Sequence, residues 1–215
     1  MRIVREGWPF ILGCLVAADV FLLGTIFFKN GFCGVTAFMF FIATLFCAYF
    51  FRDPARVIPA GDHLILSPAD GKIMEVIEGQ DAISTEPVWI LRIFLSVFDP
   101  HLQRSPFAGK VTAIRYKTGK FLDARDPQAA FENEQNRIEI VSDSGKTSLV
   151  VTQIAGLIAR RIVCWVKEGQ QVQAGERIGL IRFGSQVDVV MPKTSSVKVK
   201  AGDVVTAGDT VLAEL

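Results

Sequence analysis

Between Trp8 and Phe51 only Asp19 and Lys29 carry charge. An apolar tract of that length is at home in lipid. It falls into two halves, Trp8–Phe28 and Phe32–Phe51, each close to the ~20 residues that cross a bilayer core. Lys29-Asn30-Gly31 divides them, a short polar break with a glycine, so the spacing predicts two membrane helices joined as a hairpin. A cleaved signal peptide fits less well, because the apolar region is too long and no small-residue cleavage site follows it. Arg2 and Arg5 precede the first helix and Arg52 and Arg56 follow the second, whereas the break holds only Lys29. The positive-inside tendency then puts both ends of the hairpin in the cytoplasm. Asp19 at a helix centre would cost about 2.5–3.5 kcal/mol. That suits either a polar contact to the partner helix or a headgroup, or a hairpin shallow enough for Asp19 to meet water.

Past Phe51 the text changes. Arg52-Asp53-Pro54-Ala55-Arg56 is a charged, proline-bearing exit. From there short, β-branched apolar runs alternate with Gly, Pro and Asp: Leu64–Leu66, Val88–Val97, Lys110–Tyr116, Arg137–Val141, Ser148–Ile154 and Ile158–Val166. Closely spaced runs of this kind predict a mainly β domain. Phe121–Glu134 is the least strand-like stretch and reads as a loop or short helix. The expected organisation is a membrane hairpin over 1–51 and a β-rich domain over 52–215. A net charge of +1 and the lack of any clustered basic run argue against a nucleic-acid partner. Cys14, Cys33, Cys47 and Cys164 have neither metal-ligand nor CxxC spacing, so no metal site and no disulfide framework is expected. A domain facing the reducing cytoplasm fits that usage.

Near the C-terminus the chain repeats itself. The segment from Val166 to Ile178 aligns with Val199 to Val211 at an offset of 33, matching Gly169 to Gly202 and Gly175 to Gly208. Each unit reads strand, glycine turn, strand, glycine turn, strand. This is the texture of a hybrid barrel of the lipoyl/biotinyl-like kind, with glycines taking positive φ at the turns. A carrier domain would need a lysine at a hairpin tip between the units. Lys193, after Pro192, is the near candidate and lacks the usual flanking methionine pair.

Three loops hold residues that could do chemistry. Gly184-Ser185 interrupts a strand-rich apolar segment, where a glycine often marks close backbone approach. Ser67-Pro68-Ala69-Asp70-Gly71 sets a carboxylate in a tight turn. Phe98-Asp99-Pro100-His101 carries one of two histidines. A serine, a histidine and an aspartate from separate loops can form an activated nucleophile, although Asp70 also serves as a turn former and His101 as an ordinary loop histidine.

Taken in order, Phe51-Arg52-Asp53-Pro54, Ser67 to Gly71, Phe98 to His101 with Arg104-Ser105-Pro106, Glu132 to Arg137, and Phe183-Gly184-Ser185 resemble the short bacterial/archaeal form of phosphatidylserine decarboxylase. The likeness spans essentially the whole chain, membrane segments included. It implies a proenzyme cut between Gly184 and Ser185. Ser185 would attack the Gly184 carbonyl, and the resulting ester would eliminate to dehydroalanine and hydrolyse to a pyruvoyl group. A β chain, 1–184, and an α chain, 185–215, would remain together. His101, oriented by Asp70, would be the base for Ser185. The pyruvoyl cofactor would take the lipid amine as a Schiff base and act as an electron sink for loss of CO2.

The same resemblance implies a serine phospholipid substrate and a catalytic domain on the cytoplasmic side of the cell membrane. Arg104, Arg160 and Arg161 are the arginines read as holding phosphate or carboxylate. Paired arginines in a strand equally suit a solvated edge or a subunit contact, which allows a homo-oligomer. One departure stands out: a better-studied branch has two histidines in the Asp99–Pro106 segment, whereas here Arg104 stands near the second place. His63, just before the Asp70 turn, reads as an exposed turn residue. The competing readings are a membrane-tethered hybrid-barrel binding or scaffold module, with Ser185 structural, and a decarboxylase of an archaeal-type ether serine lipid.

Overall fold

A computed structural model describes residues 2–80, 87–145, 147–157 and 161–215. It separates into two compact units, Met1–Ala55 and Arg56–Leu215.

In the first unit helix α1 (Trp8–Phe28) and helix α2 (Gly31–Phe50) pack as a hairpin. The polar break shapes the turn. Lys29 takes a left-handed conformation (φ 49°), and the Asn30 side chain caps α2 by accepting from the Phe32 N–H (2.9 Å), satisfying one of the donors a helix start leaves open. Both helices are long and apolar enough to cross a membrane, with mean hydropathy 2.3 and 2.0. Their large apolar side chains point outward, among them Phe27, Phe28, Phe32 and Met39. Asp19 is exposed on this surface. Strands β1 (Arg2–Ile3) and β2 (Arg52–Asp53) pair antiparallel. The two free ends of the hairpin are thereby tied together, and Arg2 and Arg52 share one end.

The second unit is mainly β, as the strand-rich text predicts. Its strands are β3 (Leu64–Leu66), β4 (Gly71–Gln80), β5 (Pro87–Leu95), β6 (Leu102–Arg104), β7 (Gly109–Lys117), β8 (Gln135–Ser142), β9 (Ser148–Ala155), β10 (Arg161–Cys164), β11 (Gln171–Val172), β12 (Arg177–Arg182), β13 (Ser185–Pro192), β14 (Ser196–Val197), β15 (Val204–Val205) and β16 (Val211–Glu214). Among the described residues, an antiparallel sheet ordered β11-β7-β8-β9-β13-β5-β4-β15 curls as a half-barrel. Smaller sheets, β10-β12-β6 and β14-β16-β3, complete it. The core lies on one face of the large sheet, where Ile73, Leu91, Ile93, Val111, Ile138, Val151, Val187 and Val189 are sealed from solvent. Alternation along each strand puts them there. The stretch before β8 is a loop with one short helix, α3 (Ala129–Glu132).

Strand pairing shows what the C-terminal repeat does. Gly169 and Gly202, and Gly175 and Gly208, all have positive φ. The first repeat pairs Val172 with Gly109, and the second pairs Val205 with Gly71. Gly169 donates to the Val111 carbonyl (2.8 Å) as Gly202 donates to that of Ile73 (2.8 Å). Each repeat therefore docks on its own Ser-Pro-x-x-Gly-Lys segment, one over 67–72 and the other over 105–110. In both segments the serine is fully buried and its hydroxyl donates to the carbonyl two residues on. The second unit is thus an internal duplication. Its halves differ where chemistry is expected: Asp70 in one stands where Ala108 stands in the other.

Candidate active site

The chain makes a sharp corner between β12 and β13. Phe183 (φ 66°) and Gly184 (φ 69°) form it, both left-handed. For glycine this is free, but for phenylalanine it costs roughly 1–2 kcal/mol. The corner delivers Ser185 to the first position of β13, in register with Leu95 of β5 and Ala155 of β9. Ser185 is fully buried and its Oγ has no hydrogen-bond partner. An unsatisfied buried hydroxyl costs about 1–3 kcal/mol, so its retention asks for a use.

His101 is the partner brought to this corner. It is fully buried. Its Nδ1 lies 2.9 Å from the Asp99 carbonyl, and its Nε2 lies 2.9 Å from the Gly184 amide nitrogen. A carbonyl only accepts and an amide N–H only donates, so the imidazole is neutral, with its proton on Nδ1. The Nε2 lone pair thus accepts from the Phe183–Gly184 peptide, one bond before the Gly184–Ser185 peptide.

A ladder of buried amides sets the ring's backbone. Asn136 donates to Gln153 (2.9 Å), Gln153 to Gln103 (2.9 Å) and Gln103 to the His101 carbonyl (2.9 Å). The same carbonyl accepts from the Ile181 N–H (3.1 Å). Sequence reasoning missed this ladder. The available signal was glutamine at inward strand positions in otherwise apolar text.

Asp70 stands in the turn before β4. Arg56 Nη2 donates to its carboxylate at 2.5 Å. Burial pushes Asp70 up to about 6; the Arg56 charge and hydrogen bond oppose that rise, and the Asp99 carboxylate adds to it. Asp99 touches both candidates, since its carbonyl takes the Nδ1 proton of His101 and its charge acts on Asp70.

The arginines named from sequence go to different places. Arg104 is buried and donates from Nη1 to the Gly175 carbonyl (2.9 Å), tying β6 to a repeat turn. Arg161 is exposed at the edge strand β10, opposite Arg182. Arg160 lies outside the described residues. His63 is an exposed turn residue. Among the described residues no cluster of His, Cys, Asp and Glu could hold a metal.

Two further features frame the corner. An added Cβ at Gly156 would overlap the Gly184 carbonyl oxygen, so only glycine lets β9's end approach the bond that closely. Beside Gly184 opens a cavity of about 170 Å³, lined by Leu95, Val97, Leu157 and Phe183 and, from the loop before α3, by Asp123 and Arg125. Asn133 holds that loop. Its side chain accepts from the Leu122 N–H (2.8 Å) and donates to the Leu122 carbonyl (3.0 Å) and the Ala155 carbonyl (2.8 Å). Ala155 pairs with Ser185, so the loop is referenced directly to the corner.

Comparison with known proteins agrees over the chain's length. The phosphatidylserine decarboxylase family matches residues 43–213. A phosphatidylserine decarboxylase proenzyme from Burkholderia ambifaria (strain MC40-6) is 46% identical over 213 residues, covering 99% of this chain and 96% of that protein.

Proposed function

This chain belongs to the phosphatidylserine decarboxylase family, and from that premise we propose that the Gly184–Ser185 corner is where it cuts itself to make a pyruvoyl cofactor. The enzyme is a lyase that removes CO2 from the serine headgroup of phosphatidylserine, giving phosphatidylethanolamine. The single observation that carries the self-cleavage reading is the buried, unpartnered Ser185 hydroxyl, next in the chain to the Gly184 amide that bonds His101 Nε2.

The first step belongs to the chain's own residues. His101 Nε2, once it releases the Gly184 N–H, takes the Ser185 hydroxyl proton, and Oγ bonds to the Gly184 carbonyl carbon. The C–N bond of that peptide breaks as the ester forms, and the proton goes to the freed amine. A left-handed Phe183-Gly184 corner favours the step, because breaking the peptide releases backbone strain. Loss of the Ser185 α-proton then breaks the Cβ–Oγ bond. Gly184 leaves as a carboxylate, and water converts the remaining dehydroalanine to a pyruvoyl group and ammonia.

Asp70, with Arg56, supports the charge that develops on His101 through the Asp99 segment between them. The pyruvoyl group supplies a carbonyl able to spread the charge left by departing CO2. For turnover His101 is the proton carrier at this corner, and the cavity beside Gly184 has room for a serine-sized group. Helices α1 and α2 hold the enzyme in the membrane where its substrate resides, and Arg2, Arg5, Arg52 and Arg56 mark the cytoplasmic side.

Intact mass of the protein purified from membranes tests the reading. The expected result is a fragment over 185–215 with a blocked, ketone-reactive N-terminus, and no such fragment from Ser185→Ala. A single full-length wild-type chain would overturn it, and a split Ser185→Ala chain would remove Ser185 from the mechanism.

A further inference from the structure

The reaction needs the anionic headgroup held, yet neither described arginine chosen from sequence lines the cavity beside Gly184. Arg104 bonds a backbone carbonyl from a buried position and Arg161 lies on an exposed strand edge. The cavity beside Gly184 has one cation among its described lining residues, Arg125. We infer that Arg125 receives the phosphate of the lipid headgroup, with Asp123 holding its guanidinium at the cavity mouth until substrate arrives; this rests on the decarboxylase reading above.

Three observations support the assignment. The loop position is built, not incidental: Asn133 brackets Leu122 on both backbone groups and ties it to Ala155, the register partner of Ser185. The guanidinium is presented ready to bind a tetrahedral or planar anion. Its Nε and Nη2 both donate to Asp123, at 2.9 and 2.7 Å, in the fork geometry that also fits phosphate. The pair is also easy to exchange, because Arg125 is 70% exposed and solvent-exposed pairs hold weakly.

Size and chemistry choose phosphate over carboxylate. A cavity of about 170 Å³ takes the serine moiety and leaves the phosphate at its mouth. A cation clamped on the carboxylate would favour the ground state, since that charge is lost as CO2 departs. The phosphate keeps its charge throughout, so binding it is uniform and serves affinity.

Kinetics of Arg125→Gln in phosphatidylserine mixed micelles test the proposal. The variant should split like wild type, and its KM should rise about tenfold with kcat within about twofold. Arg125→Lys should recover only part of the loss, because a point charge cannot fork. Asp123→Asn should lower KM by freeing the guanidinium.

The anion is identified by titrating Ser185→Ala protein, which needs no turnover. Glycerophosphoethanolamine, which has the phosphate but no carboxylate, should bind several-fold more weakly once Arg125→Gln is added, whereas free serine should bind unchanged. An unchanged KM, or weakening confined to serine, would overturn the assignment. An unsplit wild-type chain would instead sink the self-cleavage reading, and the glycerophosphoethanolamine titration would still decide Arg125.

Discussion

At the scale of single residues, the site depends on how close its groups lie. Gly156 has no side chain to offer, yet it sets the distance to the Gly184 carbonyl. Gly156→Ala should fold and should self-cleave on the order of 100-fold more slowly, since small misplacements are costly in a near-attack geometry. A time course of precursor splitting reads this directly, and wild-type speed would show the approach to be irrelevant. Asp70 gives a pH signature. Its folded-state value, near 6, lies above the ordinary carboxylate value, so the native state holds its proton longer than the unfolded chain does. Its ionisation therefore lowers stability as pH rises from about 4 to 6, because burial outweighs the pairing with Arg56. Activity should run the other way. Splitting should slow as pH falls through about 6 and Asp70 loses its charge, and Asp70→Asn should be slow at every pH.

Elements carry the next level of control. Asn133 fixes the loop before α3 to β9 with three hydrogen bonds while fully buried. Asn133→Ala leaves those backbone groups unpaired, so urea melts should show a loss of about 2–4 kcal/mol, along with a higher KM if the loop presents Arg125. Little of this was legible beforehand. Asn133 stood in a quoted motif, but nothing local says which strand its amide reaches. Strand β4 was missed for a different reason. A bulge between Ile73 and Glu75 breaks its alternation, and Lys72, Glu75 and Glu78 make it read as punctuation. The repeat was plain, because glycines at fixed spacing survive changes in everything between them. Its docking partners were not, since the two Ser-Pro-x-x-Gly-Lys segments are short and meet the repeats only through long-range pairing. Gly184, Ser185 and His101 stood out as motifs. The arginines did not sort themselves, because sequence cannot tell a buried backbone tie from a cavity mouth.

For the whole molecule, the hairpin's sidedness is a direct expectation. Asn30→Cys should react with an impermeant thiol reagent from outside intact cells, and Ser144→Cys only after lysis, both in a background lacking the native cysteines. Labelling of both from outside would reverse the topology. The position of β13 has a different consequence. It lies in the middle of the large sheet, between β9 and β5, while β15 and β16 pair with β4 and β3. Once the bond before Ser185 is cut, the smaller piece remains laced through the larger one at four strands. Folding, one-body in the precursor, becomes a two-body reaction in the mature enzyme. The melting temperature of the processed protein should then rise with its concentration, and that of Ser185→Ala should not. After full denaturation the precursor should regain its sheet alone, while the mature enzyme must first find its missing strand.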